Sequence, residues 1–119
     1  MKRSFVAIAA LALTLGGAFS AAAHTTVRSS NPASGSVLTQ SPPLFEMTFA
    51  EKVRLTSLIL ANSKGERKLA FKPASNALKF TSANPDLGLG RNEIRWMALA
   101  ADGHVIKGSI IIVMRPPRK

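Results

Sequence analysis

The chain has 119 residues, room for one small domain, and carries 16 Lys and Arg against 6 Asp and Glu for a formal net charge of +10. Cysteine is absent, which excludes disulfide frameworks, thiolate metal sites and cysteine nucleophiles, and a hydrophobic content of 46% excludes a disordered chain. Tyrosine is also absent, tryptophan occurs once and histidine twice, so His24 and His104 hold most of the available chemistry.

The N-terminal residues read MKRSFVAIAALALTLGGAFSAAAH. Lys2 and Arg3 give a charged start, residues 5–15 are almost wholly apolar, and Gly16 and Gly17 break the run. Ala21, Ala22 and Ala23 then offer small side chains to a processing enzyme, the layout of a secretory signal peptide. The apolar run falls short of the ~20 residues that span a bilayer, which argues against an anchor. The A-x-A pattern at Ala21 and Ala23 predicts cleavage just before His24, giving a signal peptide over 1–23 and one domain over 24–119. Removing 23 of the 119 residues leaves 96, and the loss of Lys2 and Arg3 takes the formal charge from +10 to +8. An exported domain without disulfides points to a bacterial periplasm.

The predicted mature chain reads as β-structure throughout. Residues 43–49 alternate, with Phe45, Met47 and Phe49 on one face and Leu44, Glu46 and Thr48 on the other, which predicts a half-buried strand. Residues 53–60 are rich in aliphatic and β-branched side chains, and Asn62, Ser63, Lys64 and Gly65 end that run with turn residues. Shorter strands are expected over 67–72 and 77–81, on either side of Pro73. Asn84-Pro85-Asp86 and 88–90 punctuate the next loop, and long strands follow over 91–100 and 105–114. The tail Pro116-Pro117-Arg118-Lys119 cannot extend a ladder. About seven short strands without a convincing helix predict an all-β antiparallel sandwich or barrel.

Cleavage before His24 would put a free α-amine and an imidazole on one residue, and the two nitrogens can close a small chelate ring on a metal ion. With a pKa of about 8, the amine can yield its proton to a competing metal near neutral pH. Nitrogen donors in a planar arrangement suit Cu(II) best among the available divalent ions. Equally, His24 can be merely the place where the mature chain begins. His104 lies in Asp102-Gly103-His104 between the two strongest strands. Asp-Gly is a preferred hairpin dipeptide, which accounts for the segment structurally. A carboxylate and an imidazole two residues apart can also face one ion, and with His24 they make a set of three nitrogens and one oxygen.

Other chemistry finds little support. The carboxylates Glu46, Glu51, Glu66, Asp86, Glu93 and Asp102 show no evident acid–base pair. No glycine-rich phosphate loop follows a strand and opens a helix. Lys52, Arg54, Lys64, Arg67, Lys68, Lys72 and Lys79 are dispersed over several segments, as on a solvated surface, and nucleic acid is not expected as a partner.

After His24, Thr25 and Thr26 the chain continues VRSSNPASGSVLTQSPP, then FEMTFAEKV, and later GRNEIRWMALAADGHVIKGSIIIVM. This succession resembles the CopC family of periplasmic copper-binding proteins. The elements that carry the resemblance are His24, the run from Ser30 to Ser36, Phe49-Ala50-Glu51, Trp96 with Asp102-Gly103-His104, and Gly108-Ser109. They run in order over the whole mature chain. The resemblance implies a Greek-key, immunoglobulin-like β-sandwich that binds one Cu(II) per mature chain through a histidine brace. The implied ligands are the amine and imidazole of His24, the Asp102 carboxylate and the His104 imidazole. It also implies that Trp96 is core, that the SNPASGS element is a turn fixing the N-terminal segment, and that a CopD-like inner-membrane copper transport protein is the partner of a monomer.

There are departures from the family pattern. Some relatives carry a methionine-rich Cu(I) site, but Met47, Met97 and Met114 are far apart and each lies within a strand pattern, so no Cu(I) site is expected. Thr25 stands where relatives often have Ala, and Asn92 where an aromatic is common. The expected function is a periplasmic copper carrier or buffer in resistance or homeostasis, and not an enzyme. The rival readings are a histidine-brace copper oxidase or monooxygenase, and a metal-free exported interaction domain.

Overall fold

Alternating apolar side chains, broken by short polar turns, build seven strands in a computed structural model that describes residues 27–118. The signal peptide expected over 1–23, and His24, lie outside the described residues. In chain order the strands are β1 (Val27–Asn31), β2 (Ser36–Leu38), β3 (Leu44–Asn62), β4 (Gly65–Lys68), β5 (Ala77–Ala83), β6 (Gly90–Ala100) and β7 (Val105–Met114). The hydrogen-bonded order is β1-β3-β6-β7-β2, with β4 and β5 also paired to β3. The all-β architecture expected from the sequence is the one observed.

The two strands expected over 43–49 and 53–60 are one 19-residue strand. Its first half pairs with β1 and β5 through residues 44–49, and its second half pairs with β6 and β4 from Val53 onward, Val53 itself also meeting Ala77 of β5. The exposed residues 50–52 mark the change of partner, and no turn residue interrupts the backbone there. β3 therefore belongs to both layers of the sandwich. A second irregularity sits between Leu55 and Ser57, where two residues of β3 oppose one step of β6. There Thr56 donates its hydroxyl to the Met97 carbonyl at 3.0 Å. The extra residue reverses the parity of the strand, so Val53 and Leu55 before it and Leu58 and Leu60 after it all reach the same core.

The expected strand over 67–72 begins earlier and ends earlier. A two-residue connection, Ser63-Lys64, brings Gly65 opposite Asn62 with Gly65 at φ 115°, so the ladder starts there. It stops at Lys68 because Leu69 turns inward, buried, with its amide on the Leu58 carbonyl. Two short strands, β1 and β2, were not expected individually and flank the SNPASGS element. Within that element Gly35 takes φ 93° and donates to the Ile111 carbonyl at 2.7 Å, and the Ser34 hydroxyl accepts the Ile111 amide at 3.0 Å. The element is the turn that ties the N-terminal segment to β7.

The core is aromatic and aliphatic. Phe49 of the first half of β3 meets Trp96 of β6 edge-on at 5.1 Å and Phe80 of β5 at 5.9 Å, joining the layers. Met47, Met114 and Trp96 are buried, as their strand positions predict, whereas Met97 lies on the outer face of β6. Each fully buried Phe, Leu or Met adds roughly 1.5–3 kcal/mol of hydrophobic stabilisation. Trp96 lies opposite Gly108 in the β6–β7 ladder, and a Cβ at 108 would stand 2.7 Å from its Cζ2 atom. Only glycine lets the indole cover that stretch of β7.

Candidate metal centre

The β6–β7 hairpin carries both sequence-predicted site residues that lie among the described ones. Its ladder closes at Leu99–Val105, and the Ala100 amide then reaches the His104 carbonyl at 2.8 Å. The loop is therefore Ala101-Asp102-Gly103, three residues long, where the Asp-Gly pair alone suggested two. Gly103 donates to the Ala100 carbonyl at 2.9 Å with φ 92°, the left-handed backbone that glycine adopts without steric cost.

This loop aims Asp102 and His104 at each other. Asp102 Oδ1 accepts the His104 amide at 3.0 Å, and Oδ2 lies 2.9 Å from His104 Nδ1. Both side chains are largely exposed, 81% for His104 and 67% for Asp102, so an ion can approach from solvent. The Asp102 carboxylate, through its side-chain hydrogen bond first and its charge second, holds the His104 pKa above the ordinary histidine value. The His104 amide, followed by its imidazole, holds the Asp102 carboxyl below the usual carboxylate range.

The pair therefore supports the folded hairpin within a defined pH window. Asp102, depressed in the folded chain, contributes above its unfolded pKa and stops contributing as pH falls through its folded value. His104, raised, contributes fully below its unfolded pKa of about 6.5 and loses that contribution as pH rises through its folded value. In metal-free protein, the His104 ring protons should titrate in NMR above the midpoint of a free histidine. Asp102→Asn should return that midpoint to the ordinary value, and an unchanged midpoint would show that the contact does not persist in solution.

Asp102 and His104 thus place a carboxylate and an imidazole side by side on one exposed loop. Among the described residues no group of three or more His, Asp or Glu side chains surrounds a common point. For an ion held by this pair, a third side-chain donor would come from outside them. The direction of β1 bears on its origin. β1 is antiparallel to β3 with Val27 beside Phe49, and β3 continues from there to Val53, whose β6 partner is Ala100. The chain thus enters β1 from the end of the sandwich that carries the 101–103 loop.

Sequence reasoning gave Asn92 no role, yet it is fully buried at the other end of β6. Its Oδ1 accepts the Gly88 amide at 2.9 Å and Asn62 Nδ2 at 3.0 Å, and its Nδ2 donates to the Gly88, Gly90 and Ile112 carbonyls at 2.8–3.3 Å. The only signal in the sequence was its place between Arg91 and Glu93 in an otherwise apolar-alternating strand, where every second residue faces inward.

The CopC domain family matches residues 27–112, most of the chain and nearly all of its described part. The chain belongs to the CopC family. Comparison with curated proteins found no match. Among solved structures, CopC from Methylosinus trichosporium OB3b is similar at 22% identity with a TM-score of 0.65, covering 81% of this chain and 98% of its own. PcoC, a copper resistance protein from Escherichia coli, is similar at 20% identity with a TM-score of 0.57, covering 76% and 99%. A second PcoC structure, described as methionine-rich, gives 22% identity, a TM-score of 0.55 and coverages of 77% and 99%. At these identities the likeness is one of fold, and the CopC fold is the one seen here.

Proposed function

We propose that this CopC-family chain is an exported copper carrier that holds one Cu(II) ion after removal of residues 1–23. The α-amine and imidazole of His24 and the side chains of Asp102 and His104 are its ligands. The observation that carries the reading is the exposed Asp102–His104 pair, a carboxylate and an imidazole side by side at the end of the sandwich where β1 begins. His24 lies three positions before that start, and an extended chain covers about 10 Å in three such steps. Three nitrogens and one carboxylate oxygen match the tetragonal preference of Cu(II). Copper must displace the proton on His104, so affinity falls as pH drops through the raised His104 pKa.

A carrier fits better than an oxidase or monooxygenase, because a carboxylate in the ligand plane fills a position that oxygen chemistry needs open. The compartment is the periplasm, and the recipient or donor of the ion is a CopD-like inner-membrane transporter acting on a monomer. The test is a Cu(II) titration of protein recovered from the periplasm, with its mass checked for His24 as first residue. One tetragonal, nitrogen-rich EPR signal at one ion per chain is expected. Weak binding with no defined signal would sink the proposal.

A further inference from the structure

The sandwich is open along one side. A cleft of about 800 Å³ runs between β1 and β7, with Trp96 at its base and the Ala33–Ser34 turn at one end. The volume is in the upper range for specific binding sites. Its walls are unpaired strand edges. β1 is the terminal strand of its layer, and β2 covers β7 only from Ile112 to Met114. At Ile111 the amide and carbonyl that point away from β6 are taken by Ser34 and Gly35. Two- and four-residue steps back along the strand, Ser109 and Lys107 point their main-chain groups the same way, and among the described residues no strand meets them. The indole N–H of Trp96 likewise has no hydrogen-bond partner among the described residues, beside a lining of Val27, Ile106 and Ile110.

We propose that this cleft binds an extended, acidic peptide segment of a partner protein, which adds a strand to β7 along Val105–Ile110. The argument does not depend on the copper reading. Open edge amides and carbonyls recognise an extended main chain, with alternate side chains read by the flanking surfaces. The chemistry of the occupant follows from the charges. Arg28 on one wall and Lys107 on the other are both exposed, and among the described residues no acidic side chain lines the cleft, the nearby Glu93 carboxylate being held by the Ser109 hydroxyl and by Arg95. A strand alternating apolar and acidic residues would set its apolar side toward Trp96 and Ile106 and its carboxylates toward Arg28 and Lys107. A second copy is disfavoured, because each exported chain would carry a formal +8 and Lys107 sits on the edge that would have to pair.

The test uses the exported protein, free of metal and in EDTA, with three capped six-residue peptides. One alternates glutamate and valine, one alternates lysine and valine, and one is the glutamate peptide with proline at its third and fourth positions, so that one of the two falls at an edge-facing position in either register. The glutamate peptide should shift the emission of Trp96 saturably and slow amide exchange at Lys107 and Ser109 by about tenfold or more. The lysine peptide should bind at least about tenfold more weakly, and the doubly substituted Arg28→Glu/Lys107→Glu protein should reverse that order. The proline peptide, which cannot complete the ladder, should not slow exchange. The proposal is overturned by equal responses to the glutamate and lysine peptides, or by no response at millimolar peptide. It is equally overturned if Lys107 and Ser109 are slow to exchange in protein alone. A slow rate independent of concentration would mean that the chain covers its own edge, and one that strengthens with concentration would mean a second copy does.

Discussion

Inserting one glycine between Ala23 and His24, so that the exported chain begins with glycine, is expected to lower Cu(II) affinity by about a hundredfold, or roughly 2.7 kcal/mol. The physical reason is chelation. In the proposed site the α-amine and the imidazole belong to one residue, so both nitrogens are delivered by fixing a single side chain. With the insertion the amine moves one residue away, and the nitrogen left on His24 is an amide that must lose its proton before it can bind Cu(II). Asp102 and His104 are untouched, so their 2.9 Å contact and the raised His104 pKa should persist. His104→Ala should cause a comparable loss while leaving the amine–imidazole pair of His24 in place. Isothermal titration with a competing chelator, paired with EPR, reads both changes. If the extended chain binds as tightly as the natural one, with the same spectrum, the N-terminal brace is wrong, whatever the fold.

Asn92→Leu is expected to destabilise the domain by about 3–4 kcal/mol, a large share of the 5–15 kcal/mol typical of a whole domain. Leucine has a similar size and would be an ordinary core residue in an alternating strand. Here it would take their partner from the Gly88 amide, the Asn62 side-chain amide and three carbonyls, of which the Ile112 carbonyl is buried and the Gly88 and Asn62 groups partly so. Asn62 Oδ1 in turn accepts the Lys64 amide at 2.9 Å, so the β3–β4 turn would loosen as well. In thermal unfolding the midpoint should fall by roughly 15–25 °C. The folded fraction should bind Cu(II) with an unchanged EPR spectrum, because Asn92 and Asp102 are ten residues apart, and a strand of that length spans about 33 Å. A shift of only a few degrees would show that the loop finds other partners for these groups.

The two substitutions separate what holds the domain together from what it is proposed to hold. Gly insertion acts on the ligand set and leaves the sandwich alone. Asn92→Leu acts on the packing of the far end and leaves the ligand set alone. A variant that lost both properties together would mean that the hairpin and the far end are coupled through β6 more strongly than its regular ladder suggests.

Much of this protein can be read from the order of its residues. Period-two alternation gave the faces of 43–49, because in a strand the side chains must alternate whatever their partners are, and composition with turn punctuation gave the strands over 91–100 and 105–114. The absence of cysteine, the two histidines and the succession from SNPASGS to DGH identified the family before any coordinates, and the match over residues 27–112 agrees. Local chemistry also placed Asp102 and His104 together, since two residues across a glycine are neighbours in nearly any tight loop.

Tertiary structure decided the rest. That 44–62 is one strand serving two layers depends on which partners lie beside each half, and partners are not written in a local pattern. The bulge at Thr56, which turns Leu58 and Leu60 to the same core as Val53 and Leu55, makes a period-two reading of that stretch misleading from either end. Asn92 reads as a polar residue in a strand, and only the return of the 88–90 loop over β6 shows why it is buried. Gly108 is fixed by an indole twelve residues away in sequence and directly across the ladder. The open edge of β7 is a property of where β2 stops, at Ile112. Sequence sets which groups each segment can offer, through spacing and side-chain chemistry. Long-range pairing alone determines which of those groups meet, and which are left facing solvent.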